Sequence, residues 1–277
     1  MRKKDIRTIS IIGAGWLGLP LGETLVKDAY IVKGSTTRQE RLAAIKSVGL
    51  QAYQIQVSDQ VEYIEKEATD FFDCDLLVIN IPPRRRQPQI EEVYPAQVKA
   101  ILATALQEAV SYIIFISSSS VYGNQNQLVT EQSALLPETA SARALVEVEK
   151  MVQASSIPSS ILRMGGLAGA NRKLGRFLAG KKDLRNAEAP VNLVHLEDCI
   201  GVIKAIIKQG KWEEVYNVST DQHPTRRELY TQQAQQLGLE PPTFLEGEEV
   251  QFKLVSNDKL KEDLTYTFKW PNPMGFK

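Results

Sequence analysis

Histidine and cysteine are scarce in this 277-residue chain, at two each. His195 and His223 stand too far apart for a zinc site of ordinary ligand spacing, so no metal is expected. Cys74 and Cys199 both sit in apolar contexts, which excludes a disulfide framework and fits a reduced, cytoplasmic setting. Charge of one sign is missing too: 33 basic residues balance 33 acidic ones. With no net field and no basic stripe, nucleic acid is not an expected partner. No apolar run approaches the roughly 18 residues that span a bilayer. Met1–Lys4 followed by Ile9–Leu21 has the outline of a signal peptide. Glycines interrupt the apolar part, however, and no small-x-small cleavage site follows. Repeats and low-complexity segments are absent. What remains is a chain of ordinary globular composition, expected to meet a small molecule rather than nucleic acid or a membrane.

The most informative stretch is Thr8-Ile9-Ser10-Ile11-Ile12-Gly13-Ala14-Gly15-Trp16-Leu17-Gly18. The β-branched run Ile9–Ile12 reads as a buried strand. Glycines then fall as G-x-G-x-x-G, and Leu17, Leu21 and Leu25 recur at helical spacing. Gly13 permits a tight turn, Gly15 lets backbone approach a pyrophosphate, and Gly18 lets helix pack on strand. The backbone from Trp16 and Leu17 into the helix offers N–H groups and a positive dipole end to the anion. A dinucleotide site is expected here; a tight turn that binds nothing is the bland alternative.

Strand and helix patterns then alternate. Strands are expected at Tyr30–Val32, Ala52–Val57, Asp75–Ile81 and Tyr112–Ile116, and helices at Arg41–Val48, Val93–Val110 and Ala142–Ala154. Further on come strand patterns at Ser160–Arg163, Val191–Val194 and Val215–Val218. Helix patterns follow at Glu197–Lys208 and Arg226–Leu237. Repeated βα units with apolar strands predict an α/β fold of the Rossmann type, a doubly wound parallel sheet covered on both faces. Ligands in such sheets lie at the carboxyl ends of the strands. Asn80, Ile81 and Pro82 end one strand and Ser117 another, so all four are candidate cofactor contacts.

The stretch Phe115-Ile116-Ser117-Ser118-Ser119-Ser120-Val121-Tyr122-Gly123, together with the glycine motif, resembles the extended short-chain dehydrogenase/reductases, which include nucleotide-sugar epimerases and dehydratases. Three more blocks extend the resemblance across most of the chain: Ile161–Gly169, Asn192–Asp198 and Val215–Ser219. It implies a Rossmann domain of residues 1–165 and 191–218, with a small substrate-binding domain of 166–190 and 219–277. It also implies that 191–218 return to the sheet. Four residues before the V-Y-G tyrosine, the family's serine or threonine polarises the substrate carbonyl, and here that residue is Ser118. A polar strand end capped by local hydrogen bonds is the alternative reading.

The pattern breaks at the family's catalytic tyrosine and lysine. No tyrosine occurs between Gly123 and Ala154. Anchoring on Glu147 puts Thr139 and Arg143 in the two slots; anchoring on Glu149 puts Ser141 and Leu145 there. Arg143 keeps a cation where ribose contacts need one, unless it merely pairs with Glu147 one turn away. A Thr or Ser hydroxyl titrates too high to replace a phenol. Tyr122 is the nearest phenol, although the V-Y-G tyrosine ordinarily serves structure. The resemblance is therefore to an atypical member. Such members can retain an aspartate matching Asp198, which also suits the first turn of a helix.

The end of the second strand bears on the cofactor. No acid occurs there before Glu40, while Ser35, Thr36 and Arg38 supply donors suited to a 2′-phosphate, so NADP is expected in preference to NAD. Arg84, in the Pro82-Pro83-Arg84-Arg85-Arg86 loop, is a candidate for an anionic substrate or phosphate, or belongs to a surface charge run. Arg163 and Gly165, at the end of a buried strand, are further substrate candidates; Arg163 could instead pair with an interior carboxylate. The expected activity is an NADP-dependent oxidoreductase or epimerase/dehydratase-like reaction on a small polar substrate, with nucleotide sugars among the candidates. The alternative is a non-catalytic NADP(H)-binding protein, a redox sensor or interaction protein, that has lost the tyrosine. Either a monomer or a homodimer is compatible with the sequence.

Overall fold

The computed structural model describes residues 5–64, 69–83 and 87–276. The chain divides into two compact units. The first comprises Met1–Ser117, Thr139–Leu162 and Ile206–Val215; the second comprises Ser118–Glu138, Arg163–Ala205 and Tyr216–Lys277.

In chain order come β1 (Thr8–Ile12), α1 (Gly18–Lys27), β2 (Ile31–Thr36), α2 (Leu42–Ser47), β3 (Gln51–Val57) and β4 (Val61–Tyr63). Next are β5 (Leu76–Ile79), α3 (Ile90–Gln107), β6 (Tyr112–Ser118), β7 (Gln127–Val129), α4 (Ala140–Ala154) and β8 (Ser159–Met164). β9 (Gly166–Ala168), α5 (Gly175–Leu178), β10 (Leu193–His195) and α6 (Leu196–Gln209) follow. The last are β11 (Val215–Val218), α7 (Arg226–Gln236), β12 (Lys253–Val255) and α8 (Asp258–Leu264).

Eight strands form the large sheet, in the order β11-β8-β6-β5-β1-β2-β3-β4. β1 pairs in parallel with β2 on one side and β5 on the other, and β5 pairs in parallel with β6. The chain thus winds outward from β1 in both directions, and β1/β5 is the switch point where such sheets open a ligand crevice. All four residues of β5 are buried, as are Ile9, Ile11 and Ile12 of β1. Helices cover both faces of strands like these, and each fully buried Ile, Leu or Val contributes about 1.5–3 kcal/mol. On α1, Leu21 and Leu25 lie on the inner face, one turn apart, and both are fully buried.

Three details differ from the sequence pattern. β4 adds an antiparallel edge to β3, too short and polar to be recognised from residue periodicity. β2 runs on through Lys33, which is buried at 4% exposure. Its ammonium donates to the Asp70 carbonyl at 2.5 Å, the Asp70 carboxylate at 2.9 Å and the Asp73 carbonyl at 3.0 Å. Three donors meet three acceptors, which is what makes an interior lysine tolerable. Finally, residues 191–218 return to the large sheet only through β11. β10 pairs in parallel with β9 in a separate two-stranded sheet, and β12 pairs with β7 in another.

Candidate functional site

The first unit carries a cradle at the carboxyl ends of β1, β2 and β5. Gly13 adopts a φ of +100°, and a Cβ there would lie 2.7 Å from the Asn80 carbonyl oxygen. Gly18 starts α1 so close to the turn that a Cβ would lie 2.4 Å from the Gly13 carbonyl oxygen. Gly15 is different: a Cβ there would meet nothing within 4 Å. Packing therefore requires the first and third glycines, while the second faces open space. Asn80 donates from Nδ2 to the Gly13 carbonyl at 2.8 Å, and Ser35 Oγ accepts from Gly13 N at 3.1 Å. The Ser35 carbonyl accepts from Ala14 N at 2.8 Å. α1 begins without a side-chain cap and with no acidic residue in its first turn. Such a helix start favours an anion. A dinucleotide pyrophosphate fits this geometry: Gly15 leaves it room and the helix start supplies the polarity.

Ser35 is buried and holds the turn from beneath. Thr36 Oγ1 accepts from Arg38 N at 3.2 Å, which shapes the chain after β2. The Arg38 guanidinium is two-thirds exposed and 3.8 Å from the Glu40 carboxylate. Beyond β5, Ile81 accepts from the Tyr94 hydroxyl through its carbonyl at 2.9 Å, and Pro82 is exposed. Trp16 and Leu17 lie within the glycine turn, half-buried and buried respectively. Arg84 lies outside the described residues.

The serines at the end of β6 have different partners. Ser117 is buried and its hydroxyl lies 2.5 Å from Oε1 of Glu149, a carboxylate at 1% exposure on α4. Ser118 Oγ accepts from Ser120 N at 3.1 Å, capping a 3₁₀ turn at Ser119–Val121. Among the described residues no acceptor takes the Ser118 hydroxyl hydrogen.

On α4, Thr139 is the N-cap and its Oγ1 accepts from Ala142 N. Arg143 does not pair with Glu147. Its Nε and Nη2 donate to the two carboxylate oxygens of Glu91 on α3, each at 2.8 Å, on the exposed face. Glu147 instead lies 3.5 Å from Lys150. The spacing of Ala142, Leu145, Glu149 and Val152 defines the buried face of α4. Glu149, rather than Glu147, is thus the interior anchor.

The second unit contains a buried polar cluster. Tyr122, at 1% exposure, donates to Asn217 Oδ1 at 2.8 Å and accepts from Arg163 Nη1 at 2.7 Å. Arg163 is buried, donates also to the Glu131 carbonyl at 3.3 Å, and lies 5.1 Å from the Tyr122 ring centre. Burial raises the Tyr122 pKa against the opposing Arg163 charge. The phenol nearest in sequence to the vacant slot is therefore a buried scaffold group. Gly165 packs against residue 192, where a Cβ would lie 2.9 Å from the Asn192 carbonyl oxygen. Lys253, which sequence reading passed over, donates to the Tyr122 carbonyl at 2.8 Å and to Asn124 Oδ1 at 3.3 Å. Burial lowers its pKa. Its pairing with a carbonyl so distant in sequence leaves no local signature.

A family model described as NAD(P)H-binding matches residues 13–194, from the first glycine of the turn to β10. The chain belongs to this NAD(P)H-binding family. It is 35% identical to Protein YeeZ of Escherichia coli strain K12, over 97% of this chain and 98% of that protein. Solved structures share the fold. A functionally unknown conserved protein from Silicibacter pomeroyi matches with a TM-score of 0.76 and 23% identity, covering 97% of this chain and 95% of that one. The dTDP-glucose 4,6-dehydratase of Bacillus anthracis, in complex with NAD, matches with a TM-score of 0.78 and 17% identity, covering 97% and 94%.

Proposed function

We propose that the chain is an NADP(H)-dependent oxidoreductase of the epimerase or dehydratase type, acting on a small polar substrate, with nucleotide sugars the first class to test. The observation that carries the catalytic part is the place of Ser118 at the carboxyl end of β6, its Oγ held by the Ser120 N–H. Bound at the Gly13–Gly18 turn, the cofactor would supply hydride transfer at its nicotinamide ring. Ser118 donates to the oxygen of the reacting carbonyl or hydroxyl and orients it. Arg38, exposed and held only at 3.8 Å by Glu40, is free to turn to a 2′-phosphate and favours NADP over NAD. Segments 166–190 and 219–277 carry the substrate. Arg163 and Gly165 support this side from within, since Arg163 is already engaged with Tyr122.

Calorimetric titration of NADPH and NADH against wild type and Arg38→Ala tests the cofactor assignment. A charged hydrogen bond is worth about 1.5–3 kcal/mol. Losing it should weaken NADPH by about tenfold to a hundredfold and leave NADH unchanged. Equal NADPH affinity in both proteins rejects the arginine's role. NADPH oxidation is then screened with nucleotide sugars, aldehydes and ketones. Ser118→Ala should lower any turnover found by about 10²–10³-fold, the range for one donor to a developing oxyanion.

A second reading is favoured by α4, where no phenol is present and Arg143 is bound to Glu91. On that reading the protein binds NADP(H) without turning it over. Tight NADPH binding with no oxidation across the screen would select it.

A further inference from the structure

The segment Asn192-x-x-His195-x-x-Asp198 is not absorbed by the cofactor cradle, and all three residues face later parts of the second unit. Asn192 acts as a ladder rung for β12: its Nδ2 donates to the Lys253 carbonyl at 2.9 Å and its Oδ1 accepts from Val255 N at 2.8 Å. Asp198 is fully buried. Its Oδ1 accepts from the Tyr266 hydroxyl at 3.0 Å and from Lys269 N at 2.7 Å, and its Oδ2 accepts from Trp270 N at 3.0 Å. Gly201 leaves room for this, because a Cβ there would lie 2.1 Å from the Tyr266 hydroxyl oxygen. The His195 ring, at 4% exposure, lies 4.6 Å from the Trp270 ring and 5.0 Å from that of Phe276. An aspartate that accepts two main-chain N–H groups and a phenol of one segment is a dock for that segment.

We propose that Asn192, His195 and Asp198 form a catch for the chain's own C-terminal strap, residues 253–276, and that His195 makes the closure of 266–276 depend on pH. The chemistry lies in the imidazole's two nitrogens. Nδ1 accepts from Glu197 N at 3.3 Å, the role of an unprotonated nitrogen. Nε2 faces Gly169, whose φ is +100° and where a Cβ would lie 2.3 Å from that nitrogen. Protonation would turn Nδ1 into a donor aimed at an N–H and would put a charge on a ring at 4% exposure, with the Glu197 carboxylate 3.9 Å from Nδ1 as the nearest opposite charge. The charged groups around the ring are Glu197 and Asp198 on α6, which follows β10 directly, Lys269 on the strap and Lys173 on the loop before α5. Glu197 is ion-paired to Lys269, so its charge is already partly spent. Burial is the largest influence on the imidazole and lowers its pKa, against the opposing pull of the carboxylates.

The sign follows. A histidine that takes a proton less readily when the strap is closed than when it is open leaves closure fully favoured above about 6.5. Closure is then lost as pH falls toward the lower closed-state pKa. A one-unit separation corresponds to a tenfold change in the closing equilibrium.

Hydrogen exchange of peptides within 266–276, corrected for the intrinsic pH dependence, tests this between about pH 7.5 and 5.5. Wild type should lose protection progressively as pH falls below about 6.5, by at most about tenfold at pH 5.5, and the loss should level off below the His195 titration followed by NMR. His195→Phe keeps an aromatic ring and should make protection independent of pH. His223→Gln should leave the wild-type pH dependence intact, which separates the two histidines. Flat protection in wild type overturns the proposal. So does a loss of protection that continues below the pH at which His195 has finished titrating, a measurement that needs no variant. Asp198→Asn should weaken strap protection at every pH; unchanged protection there overturns the catch itself.

Discussion

At the scale of single residues, the three glycines of the turn make separable predictions. Gly18→Ala would push a methyl group against a backbone oxygen 2.4 Å away that cannot yield. It should destabilise the fold by about 1–3 kcal/mol, read from urea denaturation. Gly13→Ala adds the cost of a positive φ, about 1–2 kcal/mol, to a similar collision. Gly15→Ala meets nothing, so its melting temperature should stay at the wild-type value. Its NADPH affinity should nevertheless fall by roughly tenfold, as one charged hydrogen bond is lengthened. A Gly15→Ala protein that binds NADPH normally would remove the pyrophosphate from this turn. Glycine spacing made the turn legible in the sequence. The role of Ser35 was not legible, because whether a strand-end hydroxyl faces a ligand or a backbone N–H depends on residues far along the chain.

At the scale of elements, α4 is where sequence and structure diverge most. Its apolar face has the spacing of Ala142, Leu145 and Val152, and a carboxylate occupies the next position on that face. A carboxylate is an uncommon interior residue, and its bond to Ser117 explains its place inside. Replacing Glu149 by Leu leaves the buried Ser117 hydroxyl without this acceptor and should cost about 1–3 kcal/mol, whereas Glu149→Gln should cost less. A double-mutant cycle with Ser117→Ala should give a coupling of about 0.5–3 kcal/mol; additive effects would show that the pair does not interact. The Arg143–Glu91 pair is exposed. Arg143→Ala should therefore leave stability essentially unchanged, because solvent-exposed pairs contribute little. If Arg143 instead leaves Glu91 for a ribose, the same variant loses NADPH affinity, and Glu91→Ala should not. The same difficulty recurs in β2, whose strand pattern continues through Lys33 only because Asp70 and Asp73 supply acceptors.

At the scale of the whole molecule, the parallel βα order from β1 to β6 could be read from residue pattern alone, since every unit repeats one local rule. The small sheets β9–β10 and β7–β12 could not, because each pairs short strands far apart in sequence. Stability should fall in two stages on acidification. Burial lowers the pKa of His195 and of His223, so both favour the folded chain above about 6.5, and that contribution fades below it. Lys33 lowers the Asp70 pKa and Lys269 lowers that of Glu197. These carboxylates stabilise above their ordinary range, and the contribution is lost as pH falls through their depressed values. Chemical denaturation from pH 8 to 3 should show an upper slope that disappears in a double His195→Phe, His223→Gln variant while the lower one persists.

Trp16 stands within the glycine turn, between Gly15 and Gly18. Indole emission overlaps the absorption of reduced, but not oxidised, nicotinamide. The phosphate cradle thus carries its own optical donor, and changing Trp212 and Trp270 to Phe would leave Trp16 as the sole tryptophan, excited selectively at the red edge of indole absorption. Quenching in that protein would report whether the guest is reduced or oxidised, in real time and before any substrate is known.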